Sequence, residues 1–244
     1  MNIESFTNPW PVNIVIMAGG KGTRLKEITY NKPKALVEVG GKPIIAHLLD
    51  HLAAFGIKET YISVGHLSNQ ISDYLSAGDS TCMNLRYIKE SLPMGSIGAL
   101  TLKADWEHDH FMVINGDIFS NFNVNAFISA YFAKQADMAV LTDECSIEIS
   151  YGVLEVDQDG NINSFTEKPE YKVKVSAGIY IFNKKVLALL PHAKPTEGWQ
   201  LVCSALNAGF KVSGIPAEGA YWIDIGTADT LRYAHEVATA MALR

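Results

Sequence analysis

Residues 17 to 44, MAGGKGTRLKEITYNKPKALVEVGGKPI, place five glycines, five lysines and one arginine in 28 positions directly after the largely apolar run VNIVI. Gly19, Gly20 and Gly22 let the backbone approach a ligand closely, and a turn leaving a strand presents free N–H groups to an anion. Phosphate is the natural anion, and Arg24 and Lys34 supply more positive charge than backbone dipoles alone. Spacing removes two familiar phosphate loops. The dinucleotide fingerprint G-x-G-x-x-G would need a glycine where Leu25 stands. The P-loop spacing G-x-x-x-x-G-K-[ST] does not occur in the stretch. The next long helical pattern begins only at Pro43, so the loop is long as well as cationic.

The elements around this loop follow from periodicity. VNIVIMAGG is a short β-branched run ended by glycines, which suits a strand buried on both faces. PIIAHLLDHLAAFGI carries apolar residues at helical spacing with Gly56 as its stop. ETYISVGH, LRYIKES and HFMVINGD are predicted as further strands, with helices over SNQISDYLSAG (Ser68 as cap), SIGALTLKADW and NVNAFISAYFAKQA (after Asn121 or Asn123). This alternation predicts an α/β fold with a mainly parallel sheet and helices on both faces. After DMAVLTDE the pattern changes. YGVLEVDQDGNINSFTEKP reads as strand, turn, strand, and VSAGIYIFN as another strand, a small antiparallel part joined to the parallel core. KKVLALLP, WQLVCSALNAG and TADTLRYAHEVATAMA supply late helices.

Composition sets the bounds. With 244 residues, 48% hydrophobic and 19% charged, the chain suits one large globular domain. A net charge of -6 argues against a general nucleic-acid binder, whose affinity needs surplus clustered Lys and Arg. Cys82, Cys145 and Cys203 form no CxxC pair, which points to neither a disulfide framework nor a zinc knuckle, and to a reducing cytoplasm. No apolar run approaches the roughly 18 residues of a membrane span, and MNIESFTNPWPVN lacks a signal-like start. His47 and His51 stand four apart without HExxH or a third ligand, so a polar helix flank is the simpler reading. EHDH at 107 to 110 reads as an exposed strand entry.

MAGGKGTRL followed by KPKALVEVGGKPI resembles the signature of the sugar-1-phosphate nucleotidylyltransferases, which make nucleotide sugars from a nucleoside triphosphate and a sugar phosphate. PMGSIGAL, VINGD, YGVLEVD, TEKP, SAGIY and WIDIG extend the likeness, in family order, through most of the chain. The resemblance implies a single Rossmann-like catalytic domain over residues 14–244, behind an N-terminal lead or linker remnant over residues 1–13. It implies attack of a sugar-1-phosphate oxygen on the α-phosphorus of the triphosphate, with pyrophosphate leaving. A phosphomonoester has a second pKa of about 6, so the nucleophile is already an anion and needs no general base. Charge neutralisation and alignment would then carry the catalysis.

By the same resemblance, Arg24 and Lys34 contact the triphosphate and, with Asp117, form the catalytic set. Asp117 and Asp224 hold Mg²⁺. Ala18, Gly19, Gly20, Gly22, Thr23, Glu90, Pro93 and Gly95 bind the nucleotide, and Gly152, Glu167, Lys168, Ala177 and Gly178 bind the sugar phosphate. The implied partners are a nucleoside triphosphate and a sugar-1-phosphate, with neither nucleic acid nor membrane, in a cytoplasmic protein that could pair with itself. YISVGH and YGVLEVDQDGNINSFTEKP look closest to the short guanylyltransferases, which favours GTP. Uridylyl or cytidylyl transfer through the same site, and a non-catalytic nucleotide-sugar-sensing homologue, are the alternatives. A dinucleotide-dependent oxidoreductase fails on loop spacing. Three departures stand out: Lys26 to Thr29 replace the family's R-P-L-T, Ile97 stands where small residues are frequent, and KPTEGWQLVCSAL departs from the usual stretch before a late helix.

Overall fold

The computed structural model describes residues 8–20, 22, 25–77 and 83–242. β1 (Val12–Met17) is buried at all six positions. Its side chains alternate between two cores: Ile14 and Ile16 enter one with Leu49, Phe127 and Ile128, whereas Val15 and Met17 enter the other with Phe111, Val113 and Phe182. A doubly buried strand therefore needs apolar residues at both parities, and its one polar residue, Asn13, is satisfied by donating its amide to the His108 and His110 carbonyls.

After β1 come a one-turn helix α1 (Lys26–Thr29), a 3-10 turn over Lys34–Leu36, and a short hairpin of β2 (Glu38–Val39) and β3 (Lys42–Pro43). α2 (Ile44–Ala54) then packs its apolar stripe on the sheet, and Gly56 (φ 81°) ends it by donating its N–H to the Ala53 carbonyl at 2.9 Å. β4 (Glu59–Val64), α3 (Ser68–Ala77) and β5 (Asn84–Lys89) follow. Ser68, expected as a cap, is instead the first helical residue of α3. The helix expected over SIGALTLKADW is only a 3-10 segment, Gly98–Leu102. Its entry is tied elsewhere, since Ile97 donates to the Thr196 carbonyl at 3.1 Å, and Lys103 is already extended.

β6 (His110–Asn115) and β7 (Ile118–Ser120) lead to α4 (Val124–Ala133), capped by the Asn123 side chain, which accepts from the Ala126 N–H at 2.9 Å. β8 (Met138–Glu148), β9 (Val153–Val156), β10 (Ile162–Thr166) and β11 (Glu170–Asn183) form the antiparallel part. The Asp157 carboxylate closes the predicted turn between β9 and β10 by accepting from the N–H groups of Asp159 and Asn161, each at 2.9 Å. α5 (Lys184–Leu187), α6 (Gly198–Asn207), β12 (Val212–Pro216), β13 (Trp222–Asp224) and α7 (Ala228–Ala242) complete the order.

The main sheet runs β12-β8-β11-β6-β1-β4-β5. β11 is antiparallel to both its neighbours, and every other adjacent pair is parallel. This is the mainly parallel mixed sheet that the sequence predicts, with β9–β10, β7–β13 and β2–β3 as separate two-stranded pieces. A third, smaller core of Leu25, Val37, Val39, Ile44, Phe119, Ile223, Ile225, Leu231 and Ala234 binds β7–β13 to the β2–β3 hairpin and α7. Residues 8–11, inside the expected lead, are fastened to the domain: Asn8 bonds the backbone of Lys58 and Glu59, and the Trp10 indole donates to Asn125 at 2.8 Å. Cys145 and Cys203 are free thiols, while Cys82 lies outside the described residues. Among the described residues no helix is long and apolar enough to cross a membrane.

Gly116, at the end of β6, lies under the β1 backbone, where an added Cβ would sit 2.7 Å from the Met17 carbonyl oxygen. Two sheet strands cannot part to admit it. Gly116→Ala is therefore expected to cost about 1–3 kcal/mol, read as a lower urea midpoint at unchanged slope.

Candidate active site

Four parallel strands, β1, β4, β5 and β6, deliver their carboxyl ends to one edge of the sheet, where open α/β sheets bind ligands. A cavity of about 540 Å³ lies there. The loop after β1 contributes Gly19, Gly20 and Gly22, the 3-10 turn Lys34, and the segment after β5 contributes Glu90 and Pro93 to Ser96. Asn115 and Asp117 enter from the end of β6, Tyr180 from β11, Glu197 to Trp199 from the start of α6, and Gly226 from beyond β13.

Two carboxylates far apart in sequence meet at this edge. Asp117 occupies the turn between β6 and β7, and β7 pairs with β13 in a register that sets Asp224 opposite Ile118. The Ile225 N–H closes the junction by donating to the Asp117 carbonyl at 3.0 Å. The Lys34 ammonium pairs with Asp117 Oδ2 and lies 3.8 Å from Asp224 Oδ1. Lys34 is held by its neighbours Ala35 and Leu36, both buried, and its own side chain is only 12% exposed. Lys34 thus bridges the two carboxylates at this corner of the cavity.

Glu90 accepts from the Ser63 hydroxyl at 2.6 Å and from the Met94 N–H at 3.0 Å. Its carboxylate fills the space beside Gly19, where an added Cβ would come within 2.2 Å of Oε1. Gly20 instead faces open space, so its backbone is accessible from the cavity. Gly22 (φ 63°) is steadied by the Thr29 hydroxyl, which donates to its carbonyl at 2.8 Å. Ala18 is buried and borders an adjoining crevice with Lys34 and Asp117. Residues 93 to 96 are braced from below. Gly95 (φ 72°) lies so close to the Thr196 carbonyl that a Cβ would be 2.5 Å from its oxygen, and the Ser96 N–H donates to Glu197 Oε2 at 3.1 Å. The Gly198 N–H in turn donates to the Ser96 hydroxyl at 2.8 Å.

The residues expected to bind the sugar phosphate are distributed differently. Gly178 (φ 69°) lies beneath the Asn115 amide, which would be 2.6 Å from an added Cβ. Ala177 is fully buried, and its carbonyl accepts from the Trp222 indole at 2.8 Å. Gly152 and Glu167 are neighbours, with Glu167 Oε2 3.1 Å from the position of a Gly152 Cβ. Lys168 adopts φ 45° between β10 and β11. None of these five residues lines the cavity itself, although Gly178 lies beneath Asn115, which does. Thr23 and Arg24 lie outside the described residues.

The cavity also holds residues that motif reading passes over. Asn115 sits inside VINGD and reads as strand, yet its Oδ1 is buried without a partner among the described residues. Tyr180 follows SAGI at core parity. Glu197 and Trp199 belong to the segment that departs from the family pattern, and a tryptophan beside the start of a helix was the available signal. His47 and His51 each bond a backbone carbonyl at 2.8 Å, those of Val39 and Phe122. Burial lowers the His51 pKa, which favours its neutral form. Among the described residues no group of three or more His, Cys, Asp or Glu could hold a metal by itself.

Residues 13–240 match the family model for nucleotidyl transferase. A mannose-1-phosphate guanylyltransferase catalytic subunit beta from Dictyostelium discoideum is 30% identical over 218 residues, covering 87% of this chain and 60% of that protein. The mannose-1-phosphate guanylyltransferase of Mycobacterium tuberculosis is 27% identical over 221 residues, covering 88% of this chain and 61% of that protein. The chain thus spans about 60% of the length of these curated relatives. Among solved structures, HddC from Yersinia pseudotuberculosis superposes with a TM-score of 0.72 at 28% identity, over 93% of this chain and 99% of that one. The complex of HddC with GMP-PN also gives a TM-score of 0.72, at 26% identity over the same shares of the two chains. With this fold, this glycine-and-lysine loop at the sheet edge and these likenesses, the chain belongs to the nucleotidyl transferase family, as its resemblance to the sugar-1-phosphate nucleotidylyltransferases implied.

Proposed function

We propose that the protein transfers a nucleotidyl group from a nucleoside triphosphate, GTP in preference, to a sugar-1-phosphate, giving a nucleoside-diphosphate sugar and pyrophosphate. The observation that carries this reading is the Lys34 ammonium set between Asp117 and Asp224 beside an accessible glycine backbone. A phosphate oxygen of the sugar-1-phosphate forms a new bond to the α-phosphorus. The α-phosphorus bond to the bridging oxygen breaks, and pyrophosphate leaves with the electron pair. No proton has to be removed, so the work of the protein is alignment and neutralisation of charge.

Each part of the cavity takes a share. Gly19, Gly20 and Gly22, with Ala18, frame the nucleotide, and Lys34 neutralises charge growing on the departing pyrophosphate. Arg24 and Thr23 join them on the strength of the resemblance. Glu90, Pro93 and Gly95 face the base. Gly152, Glu167, Lys168, Ala177 and Gly178 are assigned to the sugar phosphate, and a substrate hydroxyl would satisfy the orphaned Asn115 Oδ1. The Asp117 and Asp224 pair fits Mg²⁺, because it already draws a cation between two carboxylate oxygens, and a two-carboxylate site completed by phosphate oxygens and water is usual for that ion. When bound, Mg²⁺ supplies neutralisation of phosphate charge. The preference for GTP is supported by relatives named as guanylyltransferases and by the neighbour complexed with GMP-PN. Free thiols at Cys145 and Cys203 support a reducing, cytoplasmic setting.

The test is pyrophosphate release from each common nucleoside triphosphate crossed with a panel of sugar-1-phosphates in Mg²⁺. GTP with one of the sugars should give the highest kcat/KM. Absence of pyrophosphate from every pair would leave a binding protein rather than an enzyme. Asp117→Asn and Asp224→Asn should each lower Mg²⁺-dependent release by at least about 100-fold, with unchanged far-UV circular dichroism. Full activity in both variants would remove the metal assignment. Lys34→Met should lower kcat by roughly 100- to 1,000-fold, in a titration where KM for the sugar phosphate moves much less.

A further inference from the structure

The four tryptophans of the chain are not used alike. Trp10 bonds Asn125 and stacks near Phe132, Trp106 packs edge-on to Tyr61 and Phe111, and Trp222 donates to the Ala177 carbonyl. Trp199, in the first turn of α6, is 63% exposed and yet borders the cavity. Among the described residues it has neither a ring partner nor a hydrogen bond to its indole. A large aromatic face left in water at the rim of a cavity is costly unless a ligand covers it.

Its position is fixed by the bracing already described. Glu197 and Gly198, the two residues before it, are both bonded to Ser96, and a Cβ on Gly198 would lie 2.6 Å from the Tyr180 ring. Trp199 therefore moves with the wall formed by Pro93 to Ser96. Lys34 and Asp117 enter from other elements, the loop after β1 and the turn after β6. Lys34 is also the one cation among the described residues lining the cavity. The wall around Trp199 thus offers a flat apolar surface and carboxylates, which suits an uncharged aromatic ring with N–H donors and not a phosphate.

We propose that Trp199 is a specificity-determining residue on which the nucleobase stacks, favouring purines over pyrimidines. The proposal rests on the nucleotidyl-transfer reading and names a contact for which the family resemblance offers no counterpart. Every base has a π-face, but a fused purine covers more of an indole than a single ring does, so loss of the indole penalises purine triphosphates more.

The experiment uses the full chain and the variants Trp199→Ala and Trp199→Phe. Calorimetric titration with GTP, ATP, UTP, CTP and dTTP gives Kd for each, and tryptophan fluorescence is followed in the GTP titration. Trp199→Ala should weaken GTP and ATP by roughly five- to a hundredfold, the pyrimidine triphosphates less, and leave KM for the sugar-1-phosphate unchanged. Trp199→Phe should keep most of the affinity while losing the quenching that GTP produces in the unmodified chain. Unchanged GTP affinity in Trp199→Ala, persistence of the quenching in Trp199→Phe, or a rise in KM for the sugar phosphate alone would each overturn the stacking role. A chain that binds no triphosphate at all fails on the nucleotidyl-transfer reading, and this inference falls with it. Binding without pyrophosphate release removes only the catalytic reading. An exposed side chain can be truncated without a core cavity, and circular dichroism checks that both variants fold.

Discussion

One ammonium group between two carboxylates joins three segments that are remote in sequence: the loop after β1, the turn after β6 and the end of β13. Such a trio is stable only where its members are held rigidly, because a displaced partner leaves a partly buried charge uncompensated. The small third core meets that requirement. Phe119 and Ile223 anchor the paired strands β7 and β13, one following Asp117 and the other ending in Asp224, and Val37 and Val39 anchor the stretch following Lys34, all within one cluster with Ile44 and Leu231. The C-terminal helix therefore belongs to the site's foundation although it supplies no residue to the cavity lining.

The single antiparallel strand of the main sheet has a comparable purpose. β11 pairs with β6 so that Ile179 lies opposite Ile114 and Asn183 opposite His110. Running against its neighbours, it enters the body of the sheet at the same edge where β6 leaves it. A register shift between Ser176 and Tyr180, with Gly178 at φ 69°, marks the entry and brings Asn115 and Tyr180 to the cavity. A parallel strand in this place would have delivered its other end.

Much of this is legible in the sequence. Buried runs such as VNIVIM and helical spacing such as that of α2 are local consequences of side-chain parity, and they predict the class of the sheet and its mainly parallel character. The glycine and lysine loop was legible because so many cations after a buried strand have few structural uses. What escaped depends on contacts between segments. SIGALTLKADW has helical composition, but its backbone is tied to the chain before α6, and the segment settles as a single 3-10 stretch. Gly19 looked like a residue cleared for a ligand, whereas the Glu90 carboxylate occupies the cleared space. Trp199 was hidden because its segment follows no shared pattern, and only the placement of α6 against residues 93 to 96 brings it to the cavity.

The Gly19 and Glu90 contact constrains how this chain can diverge. Glu90 is tied at both carboxylate oxygens, one to the Ser63 hydroxyl and the other to the Met94 N–H, so it cannot swing aside to admit a methyl group. Alanine at 19 is then accessible to drift only after position 90 has shortened. Shortening it releases the Ser63 hydroxyl and the Met94 N–H together, so that first step carries its own cost. In a lineage of related chains alanine at 19 should therefore occur only beside a shortened residue at 90, giving the floor of the cavity an inheritance separate from that of its charged rim.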